Sequence, residues 1–321
     1  MLKTLTKAGW HELKKFFKKL YANKIWLFMV LPGVAWFVIF AYLPMFGTVI
    51  AFKDYRVDGN GFISSLMSSD WVGLENFKFL FRTDDAFIIT RNTVLYNLVF
   101  IIIGLLLGVA LAIVFNSLVN KRMAKVYQTG MLFPYFLSWV VVSYFLYSFL
   151  SEDSGLLNSL IVSFGGDPIS WYSEPKYWPY ILIFMNTWKG LGYGSIVYLA
   201  AIAGIDRNYY EAAMIDGAGK WQQIRHVTIP ALTPLIIILT ILNVGKIFNS
   251  DFGLFYQLPR NSGPLFPVTD VIDTYVYRGL TSLGDISMSA AAGLYQSIVG
   301  FILVMLTNYI VKRIDPEYAL F

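Results

Sequence analysis

Apolar residues along this chain fall into long unbroken blocks. Six of the blocks reach the length of about 20 residues that a helix needs to cross the hydrocarbon core of a membrane. They run roughly over 25–50, 93–115, 126–150, 178–203, 233–255 and 290–311. Three of the segments between them are full of helix breakers. Residues 53–91 are rich in Gly, Ser and Asp. Residues 151–177 carry Gly155, Gly165, Gly166, Pro168 and Pro175, and residues 256–289 carry Pro259, Gly263, Pro264 and Pro267. Irregular backbone of this kind cannot face lipid, because its polar groups would lack partners. The pattern predicts an all-α membrane protein with six transmembrane helices.

Basic side chains orient such a chain. Lys3, Lys7, Lys14, Lys15, Lys18, Lys19 and Lys24 precede the first block, against Glu12 alone. Lys121, Arg122 and Lys125 lie between blocks two and three. Arg207, Lys220 and Arg225 lie between four and five, and Lys312 and Arg313 follow the sixth. Six crossings put all of these on one side, the cytoplasm, with both termini inside. The other loops hold most of the acids, among them Asp153, Glu174, Asp251, Asp270 and Asp285. The first block is too long for a signal peptide and lacks a small-residue cleavage site, so it reads as a retained span. The division expected is a basic cytoplasmic segment over 1–24 and a transmembrane domain over 25–321. Basic and apolar residues interleave over Thr4–Tyr21, which suits a helix lying on an anionic leaflet and equally a solvated tail.

Composition narrows the chemistry. Apolar residues make up 57% and charged residues 14%, where a soluble domain carries about a quarter charged. There is no cysteine, which excludes disulfides, thiolate metal sites and cysteine nucleophiles. The two histidines, His11 and His226, are far apart. No metal site and no catalytic constellation is expected. Topology accounts for the net charge of +5 without a nucleic-acid partner.

The segment Arg207–Leu232 is too polar to insert and too apolar for a free loop. Asn208 is placed to cap a short helix with Glu211 in its first turn. Gly217 and Gly219 permit a sharp turn, and a second short helix from Lys220 is expected to stop before Pro230. Such a projecting element should dock into something. Its Glu211-Ala212-Ala213, with Met214 following, Asp216-Gly217, and Val227-x-Ile229-Pro230 ending resemble the EAA loop of binding-protein-dependent ABC import permeases. Met131–Val142 and Asp315–Phe321 resemble, more weakly, the branch that handles complex and often acidic oligosaccharides. The likeness covers most of residues 25–321.

That resemblance implies a type I ABC importer permease architecture with a cytoplasmic coupling helix, in a bacterial cytoplasmic (inner) membrane. It implies a cytoplasmic ATPase dimer that receives this helix, with Glu211 facing a basic group. It also implies a second, homologous permease subunit and an extracytoplasmic solute-binding protein. ATP and Mg2+ would belong to the ATPase, and this chain would need no cofactor. Gly217–Lys220 is the nearest approach to a phosphate loop. It has Met214 where glycine is required and Trp221 where Ser or Thr is required. The chain is therefore expected not to be an enzyme.

A substrate path is sought where polar residues interrupt the apolar blocks. Asn186, Lys189 and Tyr193 share a face of the fourth block beside Trp188, and Asn243, Lys246 and Asn249 recur at every third residue of the fifth beside Phe248. A charge at mid-membrane costs about 3 kcal/mol or more, so two lysines at similar depth suggest a watery path. They would suit the carboxylates of an acidic, uronate-containing oligosaccharide. The alternative is that they snorkel or bind carbonyls at a helix break, which the glycines at 190, 192, 194 and 245 make plausible. A permease for a neutral sugar remains open. A self-contained secondary transporter would need coupling-ion carboxylates within the spans, and a membrane-embedded enzyme would need paired acids, a His cluster or a Ser-Lys dyad.

Overall fold

In the computed structural model, residues 18, 22–82 and 84–320 are described. The reading of Thr4–Tyr21 lies, apart from Lys18, outside the described residues. Helix α1 runs Lys24–Phe52, bearing Pro32 and Pro44. Residues 24–46 are exposed on every side, and burial begins only at Ile50 and Ala51. A short helix, α2 (Phe62–Ser68), and a two-residue antiparallel pair, β1 (Lys53–Asp54) with β2 (Asp70–Trp71), follow; Lys53 pairs with Trp71. Helix α3 spans Asp84–Ser117, so the apolar block over 93–115 is the middle of a longer helix.

The expected span over 126–150 is not one straight helix. Helix α4 (Lys121–Leu132) starts at Asn120, whose side chain accepts from the N–H groups of Arg122 and Met123. A tight turn at Phe133–Phe136 follows, then α5 (Trp139–Leu150), which Ser138 caps. The two parts meet at 97°. Pro134 lacks an N–H to continue the ladder, and the Ser138 hydroxyl restarts it. Helix α6 (Leu156–Ser163) lies after the bend.

Helix α7 runs Trp178–Ala203 without interruption, matching the fourth apolar block at both ends. Its glycines do not break it. Gly192 instead admits the backbone of α4, for a Cβ there would collide with the Met131 carbonyl. Helix α8 is Arg207–Ile215. The expected second short helix is the start of a longer one. Residues from Lys220 run on through Pro230 and Pro234 to Gly245 as one helix, α9. A widened turn at Ile224–Thr228 carries the N–H of Ile229 to the carbonyl of Ile224. That extra residue makes room for the ring of Pro230, which a regular ladder would push against a carbonyl. At its other end α9 stops at Gly245, short of the 255 read from the apolar block. Helix α10 covers Ile272–Arg278 and α11 covers Ile286–Ile314.

Among the described residues, α1, α3, α9 and α11 are long and apolar enough to cross a membrane, and the bent pair α4–α5 makes a fifth if it is one span. Helix α7 has 26 residues, about 39 Å, with Asn186, Thr187 and Lys189 along it.

Two ends of the bundle are distinct. At one, the three loop segments meet. Tyr55 N–H donates to the Ser287 hydroxyl, Asn92 to the Asp270 carbonyl, and Ser262 to the Tyr172 carbonyl. The main core lies beneath, around Trp178, Leu182, Val142, Leu254 and Leu258. A second core of Ala112, Tyr198, Ile202 and Leu232 ties α3, α7 and α9 towards the opposite end, where α8 sits.

Candidate functional site

The segment after α7 folds locally. Asp206, not Asn208, caps α8: its carboxylate accepts from the Asn208 N–H at 3.0 Å, and the Asn208 amide returns a bond to the other oxygen at 3.2 Å. An acid at the positive end of the helix dipole serves better there than a neutral amide. Gly217 closes the helix with φ +79, a left-handed conformation that side-chain-bearing residues resist. The Gln222 side chain accepts from the Gly219 N–H at 2.7 Å, and Gln223 donates to the Ala218 carbonyl at 2.9 Å. The Tyr210 and Thr228 hydroxyls meet at 2.9 Å. The turn is thus held by its own side chains.

What this unit presents outward is mixed. Glu211, Ala212, Met214, Asp216, Gly217 and Pro230 are exposed, and Ala213 is half-buried. Tyr209, Met214, Ile215 and Trp221 are exposed apolar side chains, with Ile215 at 86%. Beside them a groove of about 640 Å3 opens between α8, α9 and the end of α3, lined by Tyr210, Met214, Lys220, Gln223 and Ser117.

The polar residues of the spans divide. Asn186, Tyr193 and Asn243 line one cavity of about 310 Å3 between α3, α7 and α9, with Thr187 and Thr240 beside them. Sequence spacing did not single out the two threonines, although Thr187 adjoins Asn186 and Thr240 lies one turn before Asn243. Trp188 faces away, into an apolar groove with Phe145, Phe149 and Phe184. Phe248 packs edge-on against Tyr295. The carbonyl of Asn249 accepts from Asn97.

The two lysines also part. Lys189 reaches the bend of α4–α5, donating to the Tyr135 carbonyl at 2.9 Å. Its ammonium lies 5.3 Å from the Tyr135 ring and 5.2 Å from that of Trp139. Trp139 in turn donates to Asp251 at 2.7 Å, and Tyr135 stacks on Tyr193. Lys189 therefore binds a carbonyl left open by a helix break, and that break lies in α4–α5, not α7. Lys246 is exposed and follows the last residue of α9, where a cation suits the carbonyl end of the dipole.

The loop end contains a buried acid, Asp270, and a half-buried one, Asp273, whose burial the spacing of the sequence did not reveal. Asp270 is ion-paired with Arg278 and accepts from Thr274. Burial pushes its carboxyl up against the opposing pull of Thr274 and Arg278. Asp273 accepts from the Ser250 N–H at 2.8 Å and from Gln296 at 3.3 Å, and burial raises it too. Asp58 is exposed and is held down at about 2 by the hydroxyl of Ser64, then by the Asn60 N–H and Ser65. Among the described residues no group of three His, Asp or Glu is placed to hold a metal.

Comparison with known proteins agrees with this architecture. Residues 104–316 match the family described as binding-protein-dependent transport system inner membrane component. Protein LplB of Bacillus subtilis is 36% identical over 91% of this chain and 90% of its own length. The polygalacturonan/rhamnogalacturonan transport system permease protein YteP of the same organism is 36% identical over 95% and 92%. A chain in the crystal structure of a bacterial ABC transporter involved in import of the acidic polysaccharide alginate superposes with TM-score 0.83. It shares 30% identity, covering 94% of this chain and 99% of that one. A second structure of an alginate ABC transporter, with an alginate pentasaccharide-bound periplasmic protein, gives TM-score 0.81 at 30% identity over 93% and 97%.

Proposed function

The chain belongs to the family of binding-protein-dependent transport system inner membrane components, and from that premise we propose that it is one permease subunit of an ATP-driven oligosaccharide importer. As a member of that family it is a multi-pass membrane permease and not itself an enzyme. The observation that carries the reading is the unit α8–turn–α9. It exposes Glu211 and several apolar side chains at one end of the bundle, and its second part is the start of a long apolar helix. A surface of this kind suits a cleft in a cytoplasmic ATPase dimer, with Glu211 against a basic group and ATP and Mg2+ held by the ATPase.

The basic segments favour the cytoplasm for that end, and six crossings are assigned to α1, α3, α4–α5, α7, α9 and α11. The loop end then faces outward, where a solute-binding protein delivers substrate. A second, homologous permease completes the pathway, and the exposed α1 is left for lipid or for that partner. The path is assigned to the cavity of Asn186, Tyr193 and Asn243, whose amides and phenol match sugar hydroxyls. Thr187 and Thr240 add to them.

Acidic oligosaccharides are the favoured cargo. Two relatives are named for polygalacturonan/rhamnogalacturonan and for alginate, and the exposed Lys246 offers a cation near the outer end of α9. The test is uptake by the complete importer in sealed vesicles, comparing an oligogalacturonide with a neutral malto-oligosaccharide. ATP-dependent uptake of the first at least tenfold above the second supports the acidic reading. Preference for the neutral probe removes it and leaves the importer reading standing. Uptake of either that ignores ATP removes both.

A further inference from the structure

The hydroxyls of Tyr210 and Thr228 meet at 2.9 Å, and Thr228 is 4% exposed. Other threonines of α9 turn their hydroxyls inward along their own helix. Thr233 donates to the Ile229 carbonyl at 3.0 Å and Thr240 to the Ile236 carbonyl at 2.7 Å. Thr228 departs from this habit. It is the last residue of the widened turn. The Thr228 hydroxyl leaves its helix and reaches α8 instead.

Among the described residues this is the side-chain hydrogen bond that joins α8 to α9. The bonds of Gln222 and Gln223 fix the turn between them, but neither touches α8. Without the hydroxyl pair, α8 would hang on the Gly217 turn and on packing over an open groove of about 640 Å3. Tyr210 immediately precedes Glu211, so the bond originates beside the surface assigned to the ATPase. Thr228 sits fifteen positions before Asn243 on the same helix, about 22 Å along its axis. Asn243 lines the cavity assigned to substrate. One hydrogen bond thus links the docking surface to the helix whose far end lines the path.

We propose that the Tyr210–Thr228 hydroxyl pair is a positioning clamp that makes α9 follow α8, so that displacement of the coupling helix moves the path-lining end of α9. The proposal rests on the import reading for its purpose, and its mechanical part can be measured without it. Tyr210→Phe keeps the ring and removes the oxygen. Thr228→Val keeps the shape and removes the hydroxyl. Thr228→Ser keeps the hydroxyl and is the conservative control.

The chain has no cysteine, so spin labels can be attached at Arg207→Cys on α8 and Leu242→Cys on α9, both exposed positions. In the assembled importer, the distance distribution between them is expected to be narrow for the parent and for Thr228→Ser. It is expected to broaden for Tyr210→Phe and Thr228→Val. Equal widths in all four overturn the clamp. In vesicles holding the complete importer, oligogalacturonide taken up per ATP hydrolysed should fall about fivefold in Tyr210→Phe or Thr228→Val, the equilibrium effect of one lost buried hydrogen bond. Assembly should persist, Thr228→Ser should stay within about twofold, and the double variant should be no worse than either single one. An unchanged ratio in both single variants overturns the role in transport. Broadened distances in a complex whose parent shows no ATP-dependent uptake would remove the import reading while the mechanical link stands.

Discussion

The two ends of α9 are held by different means. At its start the partners are near in sequence: Gln222 with Gly219, Gln223 with Ala218, and Tyr210 with Thr228, the last eighteen positions apart. At its finish they come from far away. Asn97 donates to the carbonyls of Ile247 and Asn249, 150 and 152 positions off. Gln296 donates to the Phe248 carbonyl at 2.6 Å. A side chain on Gly300 of α11 would strike the Gly245 carbonyl, and one on Gly245 would strike Val304 of α11. The start is a local knot of hydrogen bonds, packed against α3 and α7 through Leu232. The finish is moored to α3 and α11. A push on the first end should therefore swing α9 about its mooring and turn Asn243 within the cavity it lines.

The mooring can be broken more severely than the knot. Gly300→Val drives a side chain into the Gly245 carbonyl and is expected to cost about 3 kcal/mol, read as a lower unfolding temperature or lost yield of folded protein in detergent. Asn97→Ala strips the carbonyls of Ile247 and Asn249 of a shared donor and should cost about 2 kcal/mol. Gln223→Ala, at the knot, removes one part-buried bond within the turn and should cost about 1 kcal/mol by the same measurement. If the last change proves as damaging as the first, the contrast between the ends fails.

The lysines sharpen the comparison further. Lys189→Met cuts the bond to the Tyr135 carbonyl and two ring contacts. It should lower uptake of acidic and neutral probes alike, by about fivefold. Lys246→Met should depress the acidic probe selectively. A selective effect at Lys189 would return that residue to the path.

The smallest effect concerns pH. Burial raises the Asp273 carboxyl, with Ser250 and Gln296 as opposing donors. A raised value in the folded chain means that the folded state holds its proton more tightly than the unfolded one. Stability from this group is therefore fully present below the ordinary carboxylate range and declines as pH rises through the raised value. Asp273→Asn should flatten that slope, seen as a smaller change of unfolding temperature between acid and neutral pH.

How much of this the sequence disclosed follows the same division. The α8 unit was legible because it is local: Gly217 closes the helix in a left-handed turn and Pro230 follows the widened turn, both jobs set by backbone geometry. The extent of α7 was legible because one apolar block is one helix. The bend at Ser138 was hidden because 126–150 is apolar on both sides of it, and hydropathy carries no direction. The end of α9 was hidden for a different reason: Ile247, Phe248, Phe252, Leu254 and Phe255 prolong the apolar block past Lys246, Asn249 and Asp251, while the carbonyls of residues 247–249 are taken by the distant Asn97 and Gln296. The cap was misread by two positions, since Asp206 and Asn208 both suit it and only the electrostatics of the helix end favours the acid. Of the candidate path residues, Asn186, Tyr193 and Asn243 converge, while Trp188, Lys189, Lys246, Phe248 and Asn249 lie outside that cavity.

The central claim is that α8 and its turn couple this chain to an ATPase. It is tested most directly by ATP-dependent uptake in vesicles holding the complete importer, with Glu211→Lys and Gly217→Leu compared with the parent. The first change reverses an exposed charge, and the second forces a side chain into a left-handed turn. The account predicts that each lowers ATPase binding to the permease and reduces uptake at least tenfold. Uptake at the parental rate in both variants would contradict it.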